Sequence, residues 1–183
     1  RRPFHLPLRP PAHPGGITCN LCVHRCRMGN EDKGFCGIRT GDPVSFREDG
    51  RRRAKVSCYY DPLPTNCVAD WVCAGGTGAG FPTYAHDRST EVGFYNLAVF
   101  LEACNLNCLY CQNWSYRRAN NGSALWHAVD SLAEAVNDRT SCICFFGGDP
   151  APQLPYALKV SEKVRGERSG KILRICWETN GTM

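Results

Sequence analysis

Thirteen cysteines in 183 residues constrain this chain more than any other feature. An odd number cannot all pair within one molecule. No apolar run approaches the roughly 18 residues of a membrane span, and the N-terminus has no signal-peptide apolar core. The expected compartment is therefore the reducing cytoplasm, where clustered cysteines bind metal more often than they form disulfides. The cysteines fall into runs: Cys19, Cys22, Cys26 and Cys36, then Cys58, Cys67 and Cys73, then Cys104, Cys108 and Cys111, and finally Cys142, Cys144 and Cys176.

The rest of the composition fits a folded domain, with 43% hydrophobic and 21% charged residues. The net charge of +5 is too mild for a dedicated nucleic-acid binder, so neither nucleic acid nor membrane is an expected partner. Residues 1–60 carry 12 basic and 5 acidic side chains, net +7, and residues 61–183 carry 10 and 12, net −2. Arg51-Arg52-Arg53 with Lys55 contributes to the first excess; it reads as a solvated strand edge or loop, with an acidic docking partner as the alternative. Three zones follow from composition. Residues 1–16 form a Pro-rich extended arm, residues 17–91 a Cys-rich irregular segment with weak periodicity, and residues 92–183 ordinary α/β sequence. Arg1 in place of an initiator Met, and an end at Met183 just after a strand-like segment, read as a fragment of a longer protein.

The last zone alternates. Val92–Leu101 is an apolar run suited to a strand buried on both faces. Ser131 and Glu134 have capping-box spacing and open a short helix with Leu132, Ala135 and Val136 inward. Cys142–Phe146 is a second strand; Leu154, Ala157, Leu158 and Val164 mark a helix face over about residues 153–166; Ile172–Trp177 is a third strand. This order predicts an α/β fold with a parallel sheet and right-handed crossovers, and chemistry gathers at the C-terminal ends of such strands.

The loop after the first strand carries Cys104-x3-Cys108-x2-Cys111. A cubane 4Fe–4S cluster usually takes four thiolates. With three, one iron keeps an open position, by the logic that separates catalytic from structural zinc. An open iron can chelate a small ligand through an amine and a carboxylate. The second strand ends in Phe146-Gly147-Gly148-Asp149-Pro150, where the glycines permit close backbone approach to a ligand. The third ends in Trp177-Glu178-Thr179-Asn180-Gly181, whose polar side chains suit a ribose or carboxylate.

Taken in this order, the motifs resemble the radical SAM superfamily. Tyr110 before the third cysteine strengthens the likeness. Gly147, Gly148 and Asp149 resemble that family's Gly-Gly-Glu-Pro motif, which meets the amino group of S-adenosylmethionine (SAM); here Asp149 stands in place of the usual Glu and shortens the reach. Glu178-Thr179-Asn180-Gly181 and Cys111-Gln112-Asn113 resemble the activating-enzyme branch, typified by pyruvate formate-lyase activating enzymes. The resemblance implies a partial (βα) barrel, a 4Fe–4S cluster on Cys104, Cys108 and Cys111, and SAM held near Tyr110, Gly147, Gly148, Asp149, Glu178 and Asn180. It further implies reductive cleavage of SAM to a 5′-deoxyadenosyl radical that abstracts hydrogen, an oxidoreductase activity. A flavodoxin- or ferredoxin-type protein would donate the electron, and a glycyl radical protein is a candidate substrate. Three strands and two helices leave a barrel incomplete, so this stretch standing alone is expected to turn over little.

Cys19, Cys22, Cys26 and Cys36 suit a closed metal site, either tetrahedral zinc or an iron–sulfur cluster without an open position, with His24 as a substitute ligand. Reduced, unliganded thiols are the alternative. Cys-x-Leu-Cys-x-His-x-Cys with Gly-x-Cys-Gly-x-Arg also resembles the N-terminal segment of PflX-like and AmmeMemoRadiSam-type proteins, which commonly have Pro where Val23 stands. Cys58, Cys67 and Cys73 read as buried thiols or as a further cluster site with Asp61, His86 or an outside ligand as the fourth donor. The Gly75–Gly80 run is not a phosphate loop, since no Lys-Ser/Thr follows, and reads as a mobile loop near the active site. Cys142, Cys144 and Cys176 read as small core residues. The rival function from another class is a non-enzymatic iron–sulfur electron carrier or metal-binding protein with every cluster fully ligated; a zinc-rich nucleic-acid module fits less well, for want of finger-type spacing.

Overall fold

The apolar run ahead of the cysteine loop becomes the centre of a five-stranded sheet. The chain is described here by a computed structural model, which covers residues 1–42, 52–121 and 125–182; Arg51 of the basic run lies outside the described residues. A short hairpin pairs β1 (Ile17–Thr18) with β2 (Arg27–Met28). The main sheet contains β3 (Arg53–Pro62), β4 (Tyr95–Leu101), β5 (Trp126–Ala128), β6 (Thr140–Gly147) and β7 (Arg174–Trp177), in the order β5-β3-β4-β6-β7.

The expected parallel unit is present in β4, β6 and β7. Leu97 aligns with Ile143, and Ile143 with Ile175, in parallel register. The sheet as a whole is mixed, which corrects the expectation of parallel strands alone. β3 runs antiparallel along β4, with Val56 opposite Leu101 and Pro62 opposite Tyr95, and β5 adds antiparallel to β3. The sequence of β3 carries a period-2 stripe, Ala54, Val56, Cys58 and Tyr60, that a reading based on cysteine content passes over. Ala54 and Val56 are buried in the core.

One face of the sheet is covered by helices. Here α1 is Ala74–Thr77, α2 is Val129–Glu134 and α3 is Leu154–Glu167. Leu97, Val99, Ile143 and Phe145 meet Leu132, Tyr156, Val160 and Val164 in one core. Each fully buried side chain of this size contributes about 1.5–3 kcal/mol. Two details of the helices differ from expectation. The cap of α2 is Ala128, with no side-chain capping bond, because β5 runs straight into the helix and leaves Ser131 inside the first turn. In α3 the inward face is Tyr156, Ala157, Val160 and Val164, while Leu158 is 46% exposed. The large Tyr156 ring takes the place in the core that Leu158 was expected to fill.

At the N-terminal end of β7, Arg174 pairs with Glu91, whose side chain is 0% exposed. The two guanidinium nitrogens donate to Glu91 at 2.8 and 2.7 Å, and one also reaches Ser141 Oγ at 2.9 Å. The glycine-rich run packs against this pair: Glu91 N donates to Gly75 O at 3.0 Å, and a β-carbon on Gly75 would lie 2.8 Å from Arg174 Nη2. The run is thus a packed turn at the strand starts, not a loop beside the strand ends as expected. Among the described residues, no helix is long and apolar enough to cross a membrane.

Candidate active site at the strand ends

Parallel pairing brings the C-terminal ends of β4, β6 and β7 to one rim, and with them the three motifs. The chain leaving β4 passes through Ala103 into the Cys104 loop. The chain leaving β6 crosses directly over it. Gly148 N donates to Leu101 O at 2.9 Å and Asp149 N to Ala103 O at 2.8 Å. A β-carbon on Gly148 would sit 2.0 Å from Ala103 O. Glycine is therefore required here by the chain's own backbone, before any ligand is considered. Gly147 has φ +99° and would also collide, 2.7 Å from the Phe100 ring.

Asp149 is 2% exposed and knits the rim together. Its carboxylate accepts from Ala151 N at 2.8 Å, Asn180 N at 2.7 Å and Thr179 Oγ1 at 3.1 Å. Asn180 Nδ2 in turn donates to Asn105 Oδ1 at 2.8 Å, and Asn105 Nδ2 donates to Thr182 Oγ1 at 2.6 Å. Asn105 is fully buried. It joins the cysteine loop to the end of β7, a role that its place between two cysteines does not announce. Its signal was a small amide within a loop otherwise read only for thiols.

The three loop cysteines are free thiols at different depths. Cys104 is buried, Cys108 exposed and Cys111 half-buried. They lie close enough to influence one another: burial pushes the Cys104 thiol up to about 11, and Asp149, Cys111 and Cys108 add to the rise. Leu106 N points at Cys104 Sγ from 3.4 Å. Tyr110 is 92% exposed. Among the described residues, no three His, Cys, Asp or Glu side chains are gathered at ion-ligating geometry, in this loop or elsewhere. The donor set nevertheless fits an iron–sulfur cluster in its chemistry: three unpaired soft thiols on one short loop, with no disulfide between them.

Below the rim, on the sheet face turned away from the helices, lies a cavity of about 230 Å³. Tyr59 and Asp61 of β3, Asn96 of β4 and Cys144 of β6 form its floor. Cys67, Gln112, Asn113 and Glu178 form its walls, so the residues that follow Cys111 open into it. Neither Lys nor Arg lines it. Glu178 Oε1 accepts from Cys67 Sγ at 3.6 Å and Cys144 Sγ at 3.8 Å. Burial, then Glu178, pushes the Cys144 thiol upward; burial also raises Asp61. Asn96 is the one polar residue in an otherwise apolar and aromatic strand, and that interruption was the available sign of a polar face. Of the strand cysteines, Cys142 and Cys144 are buried as expected, but they face this cavity side, away from the helix-packed core. Cys142 donates to Asn96 Oδ1 at 3.4 Å, and its hydrogen bond with Cys176 lowers the Cys176 thiol below its usual value. Cys58, Cys67 and Cys73 do not converge on a common site among the described residues.

The remaining cysteines, Cys19, Cys22, Cys26 and Cys36, line a separate small hollow with Arg39 and Pro152. Their segment rests on the rim: Val23 N donates to Thr182 O at 3.1 Å, His24 Nε2 lies 2.6 Å from Asn105 O, and Arg39 Nε donates to Pro152 O at 2.9 Å.

Comparison with known proteins bears on the rim directly. Residues 99–183 match the family described as the Radical SAM superfamily. An uncharacterized protein of Methanocaldococcus jannaschii, MJ0674, is 21% identical over 172 residues, covering 89% of this chain and 38% of that protein. The chain thus spans well under half the length of this curated relative. No solved structure matches. The cysteine loop, the Gly-Gly-Asp crossing and the Glu-Thr-Asn-Gly segment all fall within the matched stretch: residues 99–183 are a radical SAM superfamily domain.

Proposed function

We propose that this chain is a radical SAM enzyme whose 4Fe–4S cluster is held by Cys104, Cys108 and Cys111. Members of the superfamily are enzymes, and the family typically uses this cluster with SAM. The observation that carries the reading is the single hydrogen-bonded rim: Asp149 ties the β6 end to both the Cys104 loop and the β7 end. When bound, the cluster and SAM supply a one-electron cleavage and a hydrogen-atom abstraction that no side chain can perform.

The chain's own residues supply position. Gly147, Gly148 and Asp149 would meet the amino group of SAM, and Glu178 and Asn180 its ribose or carboxylate. Asp149 already accepts hydrogen bonds within the rim, so its part is to hold the neighbouring carbonyls in place as much as to touch the ligand. The cavity beside the rim presents Asp61 and Glu178 without a basic residue, an environment that favours a cationic guest such as a sulfonium or ammonium group. Within the family the finer reading is the activating-enzyme branch, with a flavodoxin- or ferredoxin-type electron donor and hydrogen abstraction from a glycine of a partner protein. The work takes place in the cytoplasm.

The test is anaerobic reconstitution of the full-length protein with iron and sulfide, followed by SAM and dithionite. The expected product is 5′-deoxyadenosine, absent in Cys108→Ala. A fully loaded cluster that yields none overturns the enzyme reading in favour of an electron carrier.

A further inference from the structure

The hollow between Cys19, Cys22, Cys26 and Cys36 is small. Its volume is about 20 Å³. A single water needs about 10–15 Å³ of such space. The hollow therefore has room for one atom-sized guest. A cubane brings four irons and four sulfides, and would have to unpack Leu21, Phe35 and Pro152 to enter. A lone divalent ion needs only four sulfurs at about 2.3 Å.

A backbone amide and two guanidiniums stand around the hollow. Phe35 N points at Cys26 Sγ from 3.4 Å. The Arg39 guanidinium borders the hollow. The Arg1 guanidinium lies over the Phe35 ring, 3.7 Å from its centre, and donates to Phe35 O. Four thiolates on a divalent cation carry two net negative charges, and these two guanidiniums offset them. The thiols are not yet at ligating distance.

We propose that Cys19, Cys22, Cys26 and Cys36 form a single-ion tetrathiolate zinc site, structural in role, and not a second iron–sulfur cluster. The ion fixes the turn from Cys22 to Cys26, and through Val23 and His24 that turn holds Thr182 and Asn105 of the rim. The site is independent of SAM chemistry and stands whether or not the loop cysteines carry a cluster.

The test uses the full chain with Cys104, Cys108 and Cys111 all changed to Ser, which removes the other metal site. The expected result is about one zinc per chain by elemental analysis, and a tetrahedral thiolate spectrum when cobalt replaces zinc. Adding Cys36→Ser should abolish both. If that variant fails to fold, the metal content and cobalt spectrum of the triple variant decide alone. No zinc in the triple variant, or iron and sulfide in equal amounts after anaerobic reconstitution, overturns the proposal. Failure of the radical SAM reading would show separately, as absence of 5′-deoxyadenosine from the unmodified protein.

Discussion

Replacing Gly148 with Ala probes the crossing on which the rim depends. The new β-carbon would lie 2.0 Å from Ala103 O, 2.6 Å from Ala103 C and 2.8 Å from Leu101 O. These are backbone atoms, so no side chain can swing aside. Restoring ordinary contact at 3.4 Å needs a separation of about 1.4 Å between the two loops. That movement breaks the bonds from Gly148 N to Leu101 O and from Asp149 N to Ala103 O. Each buried group left without a partner costs about 1–3 kcal/mol, giving a loss of about 2–6 kcal/mol for the pair. Such a loss is a large part of the about 5–15 kcal/mol that holds a domain together. Gly181→Ala is the control: its φ is +72° but nothing lies within 4 Å, so only the left-handed backbone is strained, at about 1–2 kcal/mol. Urea denaturation followed by circular dichroism measures both, and iron content after reconstitution reports whether the Cys104 loop still holds its cluster. Gly148→Ala should be the more damaging and should load less iron. Equal stability of the two variants, with unchanged iron, would refute the steric argument.

Two further outcomes concern the pair at the opposite end of the strands. Arg174→Ala leaves Glu91 buried and unpaired and should cost about 3–5 kcal/mol in urea denaturation, with part of it recovered by adding Glu91→Gln. Burial alone would raise the Glu91 carboxyl, but Arg174 and the His86 amide outweigh it and hold the value below the ordinary 4.5. The pair's contribution is therefore full above pH 4.5 and declines as pH falls through the depressed value. Stability measured against pH should show this acid loss in the unmodified chain and a shallower one in Glu91→Gln.

What the sequence disclosed, and what it hid, follows the range of the interactions involved. The strands β4, β6 and β7 were legible because long apolar runs have few other uses, and the motifs were legible because strand ends are where such sheets expose polar residues. The strand β3 was obscured by its content: Arg53, Lys55, Ser57, Tyr59 and Asp61 occupy its outer face, and only the alternation of Ala54 and Val56 marks it. The Ser131–Glu134 spacing was real, but β5 fixed where the helix begins, so a local signal yielded to the chain leading into it. For Gly147 and Gly148 the sequence suggests room for a ligand, and the structure adds a demand from the chain itself: the Phe100 ring crowds Gly147, and Ala103 of the neighbouring loop crowds Gly148. Asn105 and the acidic cavity were marked only faintly, by a small amide in the loop and by Asn96 in an apolar strand, since both arise from contacts between residues far apart in sequence, such as Asn105 with Thr182 and Cys67 with Glu178.

The central claim is that the cluster on Cys104, Cys108 and Cys111 leaves one iron open to SAM. Electron paramagnetic resonance of the reduced, reconstituted protein, recorded before and after SAM is added, tests it most directly. The expected result is a changed spectrum on addition of SAM, with no cluster signal at all in the variant lacking the three loop cysteines. A spectrum that SAM leaves untouched would mean that a fourth protein donor closes the cluster, and would contradict the account.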